Sequence, residues 1–212
     1  MNNTFQLIEG ASISNFSELR EAYQVSDGRL DSNVSAENIP RVFEAFLGQM
    51  KEDEPLYLFI EVPCREDDEL KLNPPLSTSN HTIEKYHRDV YYLDGYDRET
   101  MLMFLDSGVG EILINDGFVY FGFGSLDSHI ELGKYQYNML TGYLNGQPEQ
   151  CLSDLFDKLG IPRVSKLITA WQLFSNDNPG ICRKYEFEGK DIYTLIEQMK
   201  ELGMYKAETR EE

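Results

Sequence analysis

The sequence predicts an α+β fold, a mostly antiparallel sheet with helices packed against it. Three observations carry that reading. Segments with apolar residues at helical spacing and β-rich segments are mixed without a regular strand-helix-strand alternation, a pattern that leads to antiparallel pairing with helices on one face. Residues 109–124 (VGEILINDGFVYFGFG) place Asn115-Asp116-Gly117 between two β-rich runs, a strong hairpin signal. The chain has 212 residues, is 41% hydrophobic, and includes 13 Tyr and 12 Phe, so large apolar side chains are plentiful. At this length a fold buries roughly 70% of the surface its unfolded chain exposes, and needs no disulfide or metal to hold it. One domain over 1–212 is expected, with 64–80 as the loop where a boundary would fall.

Residues 15–26 read as a short helix, with Asn15 as cap, Phe16, Leu19 and Tyr23 along one side, and Gly28 as its end. A second helix opens at Pro40, and Val42, Phe43, Phe46, Leu47 and Met50 form its apolar stripe. PLYLFIEVP, residues 55–63, reads as a buried strand stopped by Pro63. Residues 64–80 are polar with paired prolines and read as a loop. A strand is expected near 82–93 and a helix over 97–107, capped by Asp97 and stopped at Gly108. In the hairpin that follows, Val119, Phe121 and Phe123 point one way and Phe118 and Tyr120 the other. That strand is therefore central, with Gly122 leaving room for a neighbour. A strand over 134–144, helices over 148–159, 162–174 and 190–202, a strand from Cys182 and a frayed tail, KAETREE, complete the expectation.

The formal charge is -18, from 37 acidic and 19 basic residues. Such a chain repels phosphate backbones and anionic membrane surfaces, so neither nucleic acid nor membrane is an expected partner. A basic protein is the electrostatic complement. The excess is uneven: 26 acidic against 10 basic residues in 1–150, but 11 against 9 in 151–212. Three widely spaced cysteines, Cys64, Cys151 and Cys182, make no disulfide framework and fit a reducing, cytoplasmic setting. The start, MNNTFQLIEG, has no basic segment followed by an apolar run, so no signal peptide is expected. No stretch approaches the ~18 apolar residues of a membrane span.

Few motifs carry chemistry. Gly122-Phe-Gly124-Ser125 follows a strand, but a dinucleotide fingerprint needs glycine where Asp127 stands. Asp127-Ser128-His129 sets triad residue types side by side, where they diverge rather than face one another, so a polar loop is expected. His87 and Asp89 share one face of a strand, and with His81 they suggest a metal. There is no HExxH or CxxC to support one, so exposed strand residues are expected. Glu69-Leu-Lys71 has a nuclease-like spacing but lies in a Pro-rich loop.

Glu52-Asp53-Glu54 and Glu66-Asp67-Asp68-Glu69 bracket a strand as acidic clusters, and Tyr91 and Tyr92 open an aromatic-rich stretch. Together these residues form the expected binding site for Lys and Arg of a partner. The expected function is an acidic binding module that neutralises or regulates a basic protein, as a bacterial immunity or antitoxin-like inhibitor does. No catalytic residue, cofactor or metal is assigned. An enzyme assembled from scattered residues would draw on Asp89, Asp127, Ser128, His129 and Cys64. A scaffold would show a large flat apolar patch.

Overall fold

The computed structural model describes residues 5–65 and 86–211. In chain order its strands are β1 (Ala11–Ile13), β2 (Ala22–Ser26), β3 (Arg29–Asn33), β4 (Leu56–Arg65), β5 (Tyr86–Tyr96), β6 (Tyr120–Ser125), β7 (Ile130–Lys134), β8 (Met139–Tyr143), β9 (Gly180–Cys182) and β10 (Tyr205–Glu211). The helices are α1 (Ile39–Gly48), α2 (Arg98–Leu105), α3 (Gly108–Asn115), α4 (Gln150–Lys158), α5 (Ala170–Leu173) and α6 (Ile192–Lys200). Eight strands form one antiparallel sheet in the order β10-β5-β4-β6-β7-β8-β3-β2, and β1 pairs with β9 beside it. The α+β expectation holds.

Residues facing one another across paired strands share a face of the sheet. Ile60, Phe121 and Leu132 point toward the helices, where α1 sets Phe43 within 4.9 Å of the Phe121 ring and 5.6 Å of the Phe123 ring. The outer face is built on glycines. A Cβ at Gly122 would lie 2.5 Å from the Phe59 ring and 2.4 Å from the Leu132 carbonyl, and one at Gly124 would strike Tyr57. The rings of Phe59 and Tyr57 lie across backbone that only glycine leaves open. β6 is an interior strand with apolar groups on both faces, as its sequence predicts.

Several expected elements are corrected. Residues 22–26 are a strand, and Gly28 is no helix stop: Asp27 and Gly28 both have positive φ and form the two-residue turn between β2 and β3. Asn15 accepts from Ser17 in a local turn instead of capping a helix. β4 runs through Pro63 to Arg65. Beyond Glu61 it has β5 on one side only, since β6 begins at Tyr120, and a missing N–H is tolerated there. Residues 108–115 are helix α3, not the first arm of a hairpin. Gly108 opens it, and Ser107 Oγ accepts from Val109 N at its start. The strand expected over 134–144 is the end of β7, a turn and β8. Only Ala170–Leu173 of 162–174 is helical, because the Val164 and Leu167 amides bond to β2 instead. The tail expected to fray is strand β10. The loop expected at 64–80 falls, from residue 66 on, outside the described residues.

One buried charge ties these parts together. Lys134 is completely buried, and its ammonium donates to the carbonyls of Asp116 (2.7 Å), Leu113 (3.4 Å) and Val119 (3.5 Å). It thereby satisfies the C-terminus of α3 and the start of β6. The Asp116 carboxylate accepts from the amides of Phe118 (2.8 Å), Val119 (3.2 Å) and Tyr185 (3.0 Å). Burial raises the Asp116 carboxyl above its ordinary value, against those hydrogen bonds and Lys134. Burial also lowers the Lys134 ammonium from 10.5 to about 8, against the attraction of Asp116.

Lys134→Met leaves three carbonyls and a carboxylate uncompensated, and the expected loss in urea denaturation is about 3–5 kcal/mol. The same pair of proteins tests the titration. The native state binds the Lys134 proton less tightly than the unfolded chain. Wild-type stability relative to Lys134→Met should therefore rise as pH increases from about 8 to 10.5. A flat difference over that window means Lys134 is not held as described.

Candidate functional site

The antiparallel order brings one terminus of all eight sheet strands to the same end. β4 starts there at Leu56, opposite Tyr96 of β5 and Ser125 of β6, and β3 starts opposite Tyr143 of β8. The loops and element ends meeting here carry exposed Asp27, Glu52, Asp53, Asp94, Asp97, Glu99, Asp127 and Glu201. Of the cations at this end, Arg29 binds Asp31, Arg98 binds the Met50 carbonyl and Lys200 binds Glu197, while Lys51 is exposed beside Glu52. Two apolar side chains stand among these carboxylates, Leu126 at 68% exposure and Leu202 at 49%. With strands about 4.8 Å apart, the end is roughly 34 Å long, the scale of a protein surface.

The outer face of the sheet differs. Its half-buried Tyr57, Tyr92, Tyr120, Tyr135 and Tyr143 form an aromatic surface, with Tyr57 donating to Glu131 at 2.8 Å. Two carboxylates here are paired with cations: Glu61 with Arg88 and Arg210 at 2.7 and 2.8 Å, and Asp31 with Arg29. The loop end therefore presents exposed carboxylates, whereas Glu61, Asp31 and Glu131 on this face are bonded within it.

The expected binding residues divide accordingly. Glu52 and Asp53 are exposed at the loop end, and Tyr92 is half-buried on the outer face. Glu54 and Tyr91 are corrections, because both are buried. Tyr91 lies on the helix-covered face, 5.8 Å from the Lys200 ammonium. Glu54 accepts from Ser125 Oγ, the Ser128 amide at 3.1 Å and the Lys51 amide at 3.2 Å, pinning the β6–β7 turn to the chain entering β4. Burial opposes ionisation of Glu54, but the bonds from Ser125, Ser128 and Lys51 outweigh it and hold the carboxyl below its ordinary value. Glu66, Asp67, Asp68 and Glu69 lie outside the described residues, as do His81, Lys71 and the Glu69-Leu-Lys71 spacing.

The residues considered for catalysis separate into two places. Asp127, Ser128 and His129 form the β6–β7 turn, with His129 at positive φ, so the polar loop expected there is what stands. Asp89 and Cys64, by contrast, meet on the helix-covered face. Cys64 of β4 lies directly across from His87 of β5, and Asp89 is two residues further along. None of the three is an exposed strand residue: relative exposures are 1% for Cys64, 7% for His87 and 1% for Asp89. β10, the supposed tail, covers the far side of β5. His87 Nε2 is 3.5 Å from Asp89 Oδ1, which also accepts from Thr209 Oγ1 at 2.9 Å and from the Lys206 ammonium at 2.7 Å. Burial and the neighbouring Asp89 push the Cys64 thiol up to about 12. The pairing of Cys64 with His87 depends on strand register, for which the sequence carries no local signal. The shallow depression lined by Asn38, Arg41, Val42, Leu159 and Ile161 gathers no nucleophile or carboxylate.

No described helix is long and apolar enough to cross a membrane. Glu54→Gln should cost about 1–3 kcal/mol at pH 7, read by denaturant unfolding, as a buried acceptor is lost. A carboxyl lowered by folding stabilises above its ordinary value of 4.5 and loses that contribution as pH falls below it. The difference should thus shrink in acid, and a difference that grows there contradicts the assigned hydrogen bonds. No protein-family model matches this chain, and comparisons with curated proteins and with solved structures return no match.

Proposed function

We propose that this protein is a binding module that captures and neutralises a basic protein partner at the loop end of its sheet. An immunity or antitoxin-like inhibitor acting in the cytoplasm is the class that fits. The observation carrying this reading is that five connections at one end of the sheet carry exposed carboxylates, with Leu126 and Leu202 exposed among them. Opposite charge speeds encounter, while exposed apolar side chains supply the contact that slows release. A sheet end roughly 34 Å long suits a macromolecular partner better than a small ligand.

Backbone NMR of the full chain titrated with an amphipathic Lys/Leu peptide tests the proposal. Shifts should concentrate in residues 51–55, 94–99, 126–129 and 201–203. The triple variant Glu52→Lys, Asp53→Lys, Asp127→Lys should weaken binding at least about tenfold at low salt, since each reversal turns attraction into repulsion. Raising the salt should narrow the gap between the two proteins. Shifts spread evenly over the surface, or an unaffected triple variant, would overturn the assignment.

A further inference from the structure

We infer that Cys64, His87 and Asp89 form a binding site for a divalent transition metal ion of the zinc class, independent of the basic-partner reading. One donor atom from each residue lies within 4.8 Å of the other two. Zn(II), with bonds of about 2.0–2.3 Å, sets tetrahedral ligand atoms roughly 3.3–3.8 Å apart, so closing on the ion takes about 1 Å of side-chain adjustment. The residues sit on adjacent strands of one sheet, which keeps that adjustment small.

Two further observations point to a ligand. His87 Nε2 and Asp89 Oδ2 are buried polar atoms with no hydrogen-bond partner among the described residues. Buried groups of this kind are rare because desolvation without a partner is costly. Asp89 is also polarised between its two oxygens. Oδ1 takes Thr209 Oγ1 and Lys206, whereas Oδ2 takes neither. A metal-bound carboxylate has this arrangement, one oxygen on the ion and the other steadied by outer hydrogen bonds. Lys206, at 35% side-chain exposure, reaches Asp89 from the rim and has solvent to retreat into.

The donor set selects the ion. One sulfur, one imidazole and one carboxylate suit Zn(II) or Co(II), while Mg(II) and Ca(II) require mostly oxygen. On binding, Cys64 Sγ releases its proton to solvent and forms the metal–sulfur bond, with no change of oxidation state. A thiolate, a carboxylate and a doubly charged cation sum to zero, which lowers the charge penalty of burial. Three protein ligands leave a fourth position. Register places Glu211 of β10 opposite His87, on the same face.

Co(II) added to the chelator-treated full chain should bind one to one, with a sulfur-to-cobalt charge-transfer band and the visible bands of tetrahedral Co(II). Zn(II) should displace it. Cys64→Ser should abolish the charge-transfer band and weaken Zn(II) by more than the roughly 10- to 100-fold that an outer partner costs. Cys151→Ser and Cys182→Ser should retain both properties. Should Cys64→Ser fail to fold, X-ray absorption of the Zn(II)-loaded wild type decides, and one sulfur in the first shell is the expected result. A shell without sulfur, equal affinity in folded Cys64→Ser, or no stoichiometric binding by the wild type overturns the site.

Discussion

The arrangement around Lys134 and Asp116 is the constraint on which much of this fold depends. An ammonium and a carboxylate are both buried, and each is satisfied chiefly by main-chain groups. Through those groups they fix where α3 stops, where β6 begins and how the segment after β9 crosses beneath the sheet. Gly10, Asn115, Gly117 and Arg183 join the same region by backbone bonds. The close approach of Gly10 and Gly117 leaves no room for a Cβ at either position. Charges held in low dielectric tolerate little displacement, so the junction of helix layer and sheet has one geometry.

Elements with a local signal and elements fixed by this junction differ in how far the sequence announces them. α1, α2, α4 and α6 were legible because each carries a local apolar stripe, and Asp97 caps α2 as its type suggests. α3 was not legible. Val109, Ile112 and Ile114 favour strands, yet they are helical here because both ends are satisfied, one by Ser107 and the other by Lys134 far along the chain. Tertiary burial overrides propensity in such segments. Asp27-Gly28 is a local hairpin signal that follows a segment, residues 15–26, whose apolar spacing is also helical, whereas Asn115-Asp116-Gly117, equally a hairpin signal, forms a helix exit.

The candidate sites were legible to different degrees. Acidic excess in the first part of the chain is plain from composition, and Glu52 and Asp53 are exposed at the loop end. Glu54, next in sequence, is an internal brace, because position along a loop does not say which side chain turns inward. Tyr91 and Tyr92 separate for the same reason: on a strand, neighbours face opposite sides. The Cys64, His87 and Asp89 cluster required knowing that β4 continues past Pro63 and that β10 covers β5. Neither fact is local.

The two borders of the sheet have a consequence for how copies of the chain meet. A β-sheet grows by adding strands to an open border, the route to runaway aggregation. At one border, residues 162–164 exchange backbone bonds with Tyr23 and occupy part of β2. At the other, β10 presents Lys206, Glu208, Arg210 and Glu211 in close succession, with a bulge between Lys206 and Glu208. Packing another molecule's backbone there would mean desolvating a row of charges on a kinked strand. The sheet is therefore guarded at both limits, and an acidic surface can be crowded at high concentration without templating its own fibres.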